Sequence, residues 1–384
     1  MVEFSGATFD SRKVKPGMLF VALQGENADG RRFIPNAVEK GAAGVVEGLE
    51  ALHEAAREYR RSLSAKVIAL TGSAGKTTTK ELLRSLLSTV GKTHATEGNF
   101  NNHIGLPMTI LNCPRDAEFL VLEMGTNHPG EIAALCSIAG PDAALITNIG
   151  NAHLEFFGSQ EAIAREKGSL FASLRPGAVA AAGADNRFLD VLRSMCPSSV
   201  TEADVGQDWI RDQLQGVLPG EHNVANAAIA FALAEKFGVS REMAAAAFSA
   251  VSVPGSRWRK IERNAVTFID DSYNANPEAM IAALDAFAAM PCKGKRVAVL
   301  GDMLELGPES ERLHRKVFDH AMSLGIPLVI GVGEMSSKCL CHLVYKSLDR
   351  LRCKFRFDVS AGDLVLLKAS NSMKLGELIE AMPR

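Results

Sequence analysis

Four short runs in the middle of the chain are apolar at almost every position: Val67-Ile-Ala-Leu70, Phe119-Leu-Val-Leu122, Ala143-Ala-Leu-Ile146 and Val266-Thr-Phe-Ile269. Such runs predict strands buried on both faces, as in a parallel sheet with helices on either side. Each stops abruptly at polar or glycine residues: Thr71-Gly-Ser, Glu123-Met-Gly, Thr147-Asn-Ile-Gly and Asp270-Asp-Ser. Helical stretches separate the runs, so the pattern predicts an α/β chain with mostly parallel sheets. In open α/β sheets ligands bind beyond the carboxyl ends of the strands. Four such ends carrying reactive residue types predict one shared site.

The same style resumes in Val297-Ala-Val-Leu300, Leu328-Val-Ile330 and Leu364-Val-Leu-Leu367, which predicts a separate Rossmann-like unit starting near Pro291. At the other end, Met18-Leu-Phe-Val-Ala22 and the turn-forming Gly25-Glu-Asn-Ala-Asp-Gly30 predict a small α/β unit, with Arg61-Ser-Leu-Ser-Ala-Lys66 as a linker. The expected domains are therefore residues 1–64, 65–290 and 291–384. A length of 384 residues suits two or three domains, each with a real core.

Composition then narrows the function classes. Forty-two Lys and Arg against 44 Asp and Glu give a formal charge of −2, which argues against a nucleic-acid binder or a polybasic membrane protein. No apolar run reaches the roughly 18–20 residues that span a bilayer, and the first residues do not read as a signal peptide. The expectation is a cytoplasmic protein. Seven scattered cysteines, at 113, 136, 196, 292, 339, 341 and 353, fit neither a disulfide framework nor a zinc site.

The firmest chemical signal is Thr71-Gly72-Ser73-Ala74-Gly75-Lys76-Thr77-Thr78, set between a predicted strand and the amphipathic Glu81-Leu-Leu-Arg-Ser-Leu-Leu87. Glycines let the backbone curl so that successive amides face an anion, and the helix start adds partial positive charge. Lys76 would reach the β- and γ-phosphates, and the Thr77 hydroxyl would ligate Mg²⁺. The strict GxxxxGK[ST] pattern fails at Leu70, yet strand, GxxGKTT and helix in that order point to ATP.

Three further residues have open readings. Glu123 ends an apolar strand, where a carboxylate needs a cation or donors. Beside a phosphate loop it reads as a Mg²⁺ ligand, or else as a solvated acid at a loop start. His153 reads as a ligand or as a structural histidine. Lys167 shares a helical face with Ile163, Leu170, Phe171 and Leu174. There it either snorkels to water or stays neutral, and a neutral amine can take up CO₂ to give a metal-holding carbamate.

Taken in order, the motifs resemble the Mur ligase family. The resemblance is carried by Asp10-Ser-Arg12, the Gly25–Gly30 turn, the phosphate loop, Gly98-Asn-Phe-Asn-Asn-His-Ile-Gly-Leu-Pro107, Leu122-Glu-Met-Gly125, Thr147-Asn-Ile-Gly-Asn-Ala-His153 and Glu166-Lys-Gly168. It continues through Pro219-Gly-Glu-His-Asn-Val-Ala-Asn226, Asp270-Asp-Ser-Tyr-Asn-Ala-Asn-Pro277 and Gly301-Asp-Met-Leu-Glu-Leu-Gly307.

The resemblance implies an ATP-driven, ADP-forming amide ligation. A substrate carboxylate would be phosphorylated and then attacked by an amine, with D-alanyl-D-alanine and UDP-N-acetylmuramoyl-tripeptide as the substrates. It implies two Mg²⁺ ions, one on Thr77 and Glu123, the other on His153 and carbamylated Lys167. It also implies nucleotide contacts from Asn223, Asn226, Arg257, Asp271 and Tyr273, UDP-sugar contacts from Ser11, Arg12 and Asp29, and a peptide-facing Asn101 and Asn102. Asp302 and Glu305 would serve the acceptor dipeptide, and the enzyme would be a monomer.

The chain departs from the family pattern at Asn371 (usually Arg), Arg31 (usually His) and Ser169 (usually Glu), and in a short segment between Asp185 and Pro219. Alternatives are a related ligase with another amino-acid or peptide acceptor, a non-catalytic nucleotide-binding homologue and a generic P-loop ATPase.

Overall fold

The computed structural model describes residues 3–25, 29–355 and 358–382. Glu26, Asn27 and Ala28 of the expected Gly25–Gly30 turn lie outside the described residues. Three sheets follow one another along the chain. The first is parallel, with strands in the order β1 (Ala7–Thr8), β2 (Leu19–Ala22) and β3 (Gly44–Glu47).

The second sheet contains β4 (Lys66–Thr71), β5 (Thr93–Ala95), β6 (Phe119–Glu123), β7 (Ala143–Ile146), β8 (Val179–Gly183) and β9 (Val200–Ala203). Its spatial order is β5-β6-β4-β7-β8-β9, and every pairing is parallel. The chain leaves β4 toward one side and later returns to its other side. That reversal opens a crevice at the carboxyl end of β4, where the phosphate loop sits.

The third sheet contains β10 (Arg259–Arg263), β11 (Val266–Asp270), β12 (Arg296–Gly301), β13 (Leu328–Val332), β14 (Leu343–Tyr345) and β15 (Leu364–Lys368). Its order is β10-β11-β15-β12-β13-β14, antiparallel only between β10 and β11. This moves one boundary. The sequence assigns Val266–Ile269 to the central unit and sets the break near 290, but β11 pairs in parallel with β15. The central sheet therefore gives way to the third before Arg259. An all-apolar strand announces burial on both faces without naming its sheet.

Alternation explains the apolar runs. Val67 and Ala69 face one core, while Ile68 and Leu70 face the other, and all four are fully buried. Burying each side chain of Val or Leu size contributes about 1.5–3 kcal/mol. Leu52, Ala56 and Tyr59 of the helix Leu49–Ser62 enter the first of those cores, so the first unit shares its interior with the central sheet.

Two helix starts matter for the site. Ser159 caps the helix Gln160–Ala172 through Ala162 N. Asn276 caps the helix Pro277–Ala289 through Ala279 N at 2.8 Å, with Pro277 in the first turn. The segment between Asp185 and Pro219 holds β9 between two short helices, Leu189–Met195 and Asp208–Leu214. Among the described residues no helix is long and apolar enough to cross a membrane, and all seven cysteines are free thiols.

Candidate active site

The loop after β4 curls into the helix Lys76–Leu87 through Gly75 in the left-handed region, at φ 76°. A Cβ on Gly75 would come within 2.6 Å of the Asn226 side chain, so glycine is needed for space as well as for conformation. The loop is braced before any nucleotide arrives. Asn148 receives Ser73 N on its backbone oxygen (3.0 Å) and Ala74 N on its Oδ1 (2.9 Å). Thr147 Oγ1 donates to Ala74 O, and Ser73 Oγ accepts from Gly150 N. The amides of the first helical turn remain for an anion.

Lys76 Nζ donates to Gly72 O at 2.8 Å. Desolvation lowers its pKa; the nearby Arg257 charge acts the same way and Glu123 opposes both. Glu123 is only 2% exposed. Its carboxylate accepts from Thr77 Oγ1 and from Asn101 Nδ2, each at 2.8 Å, while its backbone N donates to Thr96 Oγ1. Two neutral donors do not neutralise a buried carboxylate, and no ion pair reaches it among the described residues. That deficit fits a cation shared by Glu123, the Thr77 hydroxyl and phosphate oxygens.

Lys167, inside the helix Gln160–Ala172, is 1% exposed, and its side-chain amine makes no hydrogen bond or ion pair among the described residues. Its amine is pushed well below the usual lysine range, first by burial and then by the charge on Lys76. It does not snorkel. Its neighbour Glu166 turns away, accepting from Gly130 N, Ile132 N and Thr126 Oγ1. As an amine Lys167 cannot be an anionic ligand; only a carbamate on it would fit a second cation. Among the described residues no three His, Cys, Asp or Glu side chains gather into a metal-holding cluster.

His153, in the left-handed region at φ 61°, directly precedes the short helix Leu154–Phe157 without a side-chain cap bond to it. Its Nδ1 lies 2.6 Å from Oε2 of Glu305, which reaches over from the third unit and is itself at φ 61°. The His153 contact holds the Glu305 carboxyl below its usual range.

A cavity of about 680 Å³ runs between the central and third sheets. Lys76, Thr77, Glu123, Asn101, Asn102, His153, Asn223, Asn226, Arg257, Asp271 and Tyr273 all line it. Arg257 stacks its guanidinium carbon 3.5 Å from the Tyr273 ring centroid. Asn223 donates to Pro219 O. Like Asn101 and Asn223, two further expected contacts are already engaged. Asp271 accepts from Lys368 Nζ (2.6 Å) and from Trp258 N, and Asn102 Oδ1 accepts from Ile104 N and Gly105 N at a helix start.

Five expected substrate residues, Ser11, Arg12, Asp29, Asp302 and Glu305, are not among those lining the cavity, and neither is Lys167. Ser11 is buried beneath Lys40, whose Nζ donates to the backbone oxygens of Ser11 and Arg12. Arg12 pairs with Asp10, holding that carboxyl down to about 2, and Asp29 caps and pairs with Arg31. The Asp302 carboxylate is engaged locally, accepting from Ser336 N and Met335 N beyond β13. The first unit contributes His53 and Arg57 to the cavity instead.

Sequence reasoning passed over Asn148, Asn151 and Glu278. The first two stand inside the Thr147–His153 motif, which could have exposed them. Glu278 follows Pro277 at a helix start and carried no signal of its own.

Family models match in three consecutive stretches: the Mur ligase family catalytic domain over residues 3–72, the Mur ligase middle domain over 70–208 and the Mur ligase glutamate ligase domain over 256–371. The chain is 35% identical to the UDP-N-acetylmuramoyl-tripeptide–D-alanyl-D-alanine ligase of Bacillus subtilis, across 98% of this chain and 92% of that one. It is 34% identical to the ligase of the same name from Escherichia coli, across 99% and 94%. A MurF crystal structure from Acinetobacter baumannii superposes with a TM-score of 0.86 at 29% identity, covering 97% and 92% of the two chains. The MurF ligase of Thermotoga maritima in complex with ADP gives 0.84 at 26% identity, covering 99% and 97%.

Proposed function

This chain belongs to the Mur ligase family, and we propose that its cavity joins D-alanyl-D-alanine to UDP-N-acetylmuramoyl-tripeptide in peptidoglycan precursor synthesis. It is an ATP-dependent, ADP-forming ligase. The observation that carries the reading is likeness to ligases of that name along the whole chain, 98% of it in the Bacillus subtilis case.

In this reading the tripeptide carboxylate attacks the γ-phosphorus of ATP to give an acyl phosphate and ADP. The dipeptide amine then adds to the acyl carbon, and phosphate leaves. The protein's part is positioning and charge compensation. Gly72, Ser73, Ala74 and Gly75 shape the loop around the phosphates, the amides of the first helical turn and the Thr78 hydroxyl face them, and Lys76 balances the charge that builds on the transferred group. Asn223, Asn226, Arg257, Asp271 and Tyr273 flank the nucleoside.

Thr77 and Glu123 would hold one Mg²⁺, with His153 and carbamylated Lys167 holding a second; such ions supply electrostatic stabilisation of phosphoryl oxygens. Asn101, through its bond to Glu123, fixes the carboxylate that faces the phosphates. The unpaired Lys167 amine supports carbamylation, because only a neutral amine adds CO₂. Ser11, Arg12 and Asp29 remain assigned to the UDP-sugar, for which Arg12 and Arg31 would have to exchange their present carboxylate partners. We place Glu305 on the His153 side of the cleft and assign Asp302 to holding the loop after β13. The enzyme is taken to act as a cytoplasmic monomer.

The test is to incubate the protein with ATP, Mg²⁺, the UDP-linked tripeptide and D-alanyl-D-alanine, following phosphate release and the pentapeptide by mass. Phosphate release that needs both substrates supports the reading. ATP binding without turnover returns the chain to the non-catalytic alternative, and turnover with another amine points to a different acceptor.

A further inference from the structure

We propose that Glu278 is a positioning residue that ties docking of the third unit to the geometry of the phosphate-side loop and of the helix bearing Lys167. The proposal rests on the ligase reading for its kinetics, but not for its structural readout. Glu278 is the second residue of the helix Pro277–Ala289, whose start is pinned by the Asn276 cap and by Pro277. Asn276 also donates from Nδ2 to Ser73 O in the phosphate loop, at 3.3 Å. The helix therefore begins against the central unit.

From that start the Glu278 Oε1 accepts two bonds from Asn151, from its backbone N at 3.3 Å and from its Nδ2 at 2.5 Å. Asn151 Oδ1 in turn accepts from Gln160 Nε2 at 3.0 Å. The Asn151 amide is thus fixed at both ends, its donor on a carboxylate from one unit and its acceptor on a side chain of its own.

What this relay controls follows from where its members sit. Gln160 opens the helix that carries Lys167 seven residues on, which is two turns along the same face. Asn151 lies two residues before His153, whose left-handed backbone needs the surrounding loop to hold it. Gly150 makes room for the contact, since a Cβ there would stand 3.0 Å from Glu278 Cδ. The second oxygen, Oε2, is buried without a hydrogen-bond partner among the described residues. The Asn151 bonds are therefore what offsets the burial of this carboxylate, and they exist only while the third unit is seated. The Glu305 contact with His153 reaches the same loop from the same unit.

The experiment uses the full chain with Glu278→Ala, Glu278→Gln and Glu278→Asp. Steady-state kinetics are measured against ATP, UDP-tripeptide and D-alanyl-D-alanine. Hydrogen exchange is followed across residues 149–160, with and without a non-hydrolysable ATP analogue. In Glu278→Ala we expect kcat to fall about tenfold or more while each KM stays within about threefold. Exchange across 149–160 should rise in both states. Glu278→Gln keeps an acceptor for Asn151 and should recover most of kcat and of the protection; Glu278→Asp, one methylene short, should not.

A rise in KM for the dipeptide alone, with unchanged kcat and exchange, would make Glu278 an acceptor-binding residue and overturn the proposal. Unaltered kinetics and exchange would overturn it as well. If the wild type shows no ligase turnover, the functional reading fails, while the exchange comparison still decides the role of Glu278. Should Glu278→Ala not fold, the contrast between Gln and Asp carries the same decision.

Discussion

Lys80 and Lys167 are both sealed from solvent, at 0% and 1% exposure, on helices that flank opposite faces of the same sheet. Their surroundings could hardly differ more. The Lys80 Nζ donates to Thr96 O at 2.6 Å and sits 2.9 Å from Glu81 Oε1, so its charge is matched. Lys167 has no such partner, and its amine is driven toward the neutral form by burial. Burial alone therefore says little about chemistry. An unmatched buried group beside a phosphate loop says a great deal, because the fold bears its desolvation cost with no local return.

Substitutions can break this contrast or sharpen it. The largest effect is expected at Lys167. Lys167→Ala should lower kcat by about 10²–10³-fold, with partial recovery on adding short carboxylic acids. Bicarbonate labelled with ¹³C should give a carbamate resonance in the wild type that the variant lacks. Full activity in the variant would remove the carbamate from the mechanism.

Next comes Glu123→Gln, which deletes the charge, keeps one acceptor oxygen for Asn101 and turns an NH₂ donor toward the Thr77 hydroxyl, which can accept from it. About a hundredfold loss in kcat is expected, with a raised Mg²⁺ requirement in titrations of rate against metal. An unchanged metal requirement would make Glu123 structural.

The third prediction separates the lysines by sign. Lys80→Met should cost about 2–4 kcal/mol, because Glu81 then keeps only Arg84, while activity of the folded protein changes less than about threefold. Lys167→Met should stabilise by about 1 kcal/mol, since an unpaired amine is replaced by an apolar chain of similar length. Denaturant midpoints on the two variants check this; shifts of the same sign would mean that the two sites are not different in kind.

The smallest effect is at the exposed Arg12. Arg12→Ala should leave the thermal midpoint unchanged and raise KM for the UDP-linked substrate several-fold. An unchanged KM would take Arg12 out of the binding site.

The same contrast explains what could be read ahead of the structure. The phosphate loop, Glu123 and Lys167 were legible because a strand end, a glycine pattern and a helical face are local, and each dictates its own geometry. The sheet to which β11 belongs was not legible, since hydrophobicity does not specify a partner. Glu278 escaped for a related reason: its meaning depends on how one unit seats on another, which no short window records. Ser11, Arg12, Asp29 and Asp302 were proposed by motif, yet each has local partners in the fold. Polar residues in turns often satisfy neighbouring amides first, and a motif match cannot tell that use from substrate binding.

The seam between the central and third sheets has a further consequence. Among the described residues its polar contacts come from two short strips of the third unit, Asn276 to Glu278 and Glu305, while the strands β10 to β15 pair only with one another. A descendant could remodel the remaining loops of that unit, and with them the amine it accepts, without disturbing the machinery that spends ATP. Diversification of acceptor choice would then proceed by altering one module while its few points of attachment stay fixed.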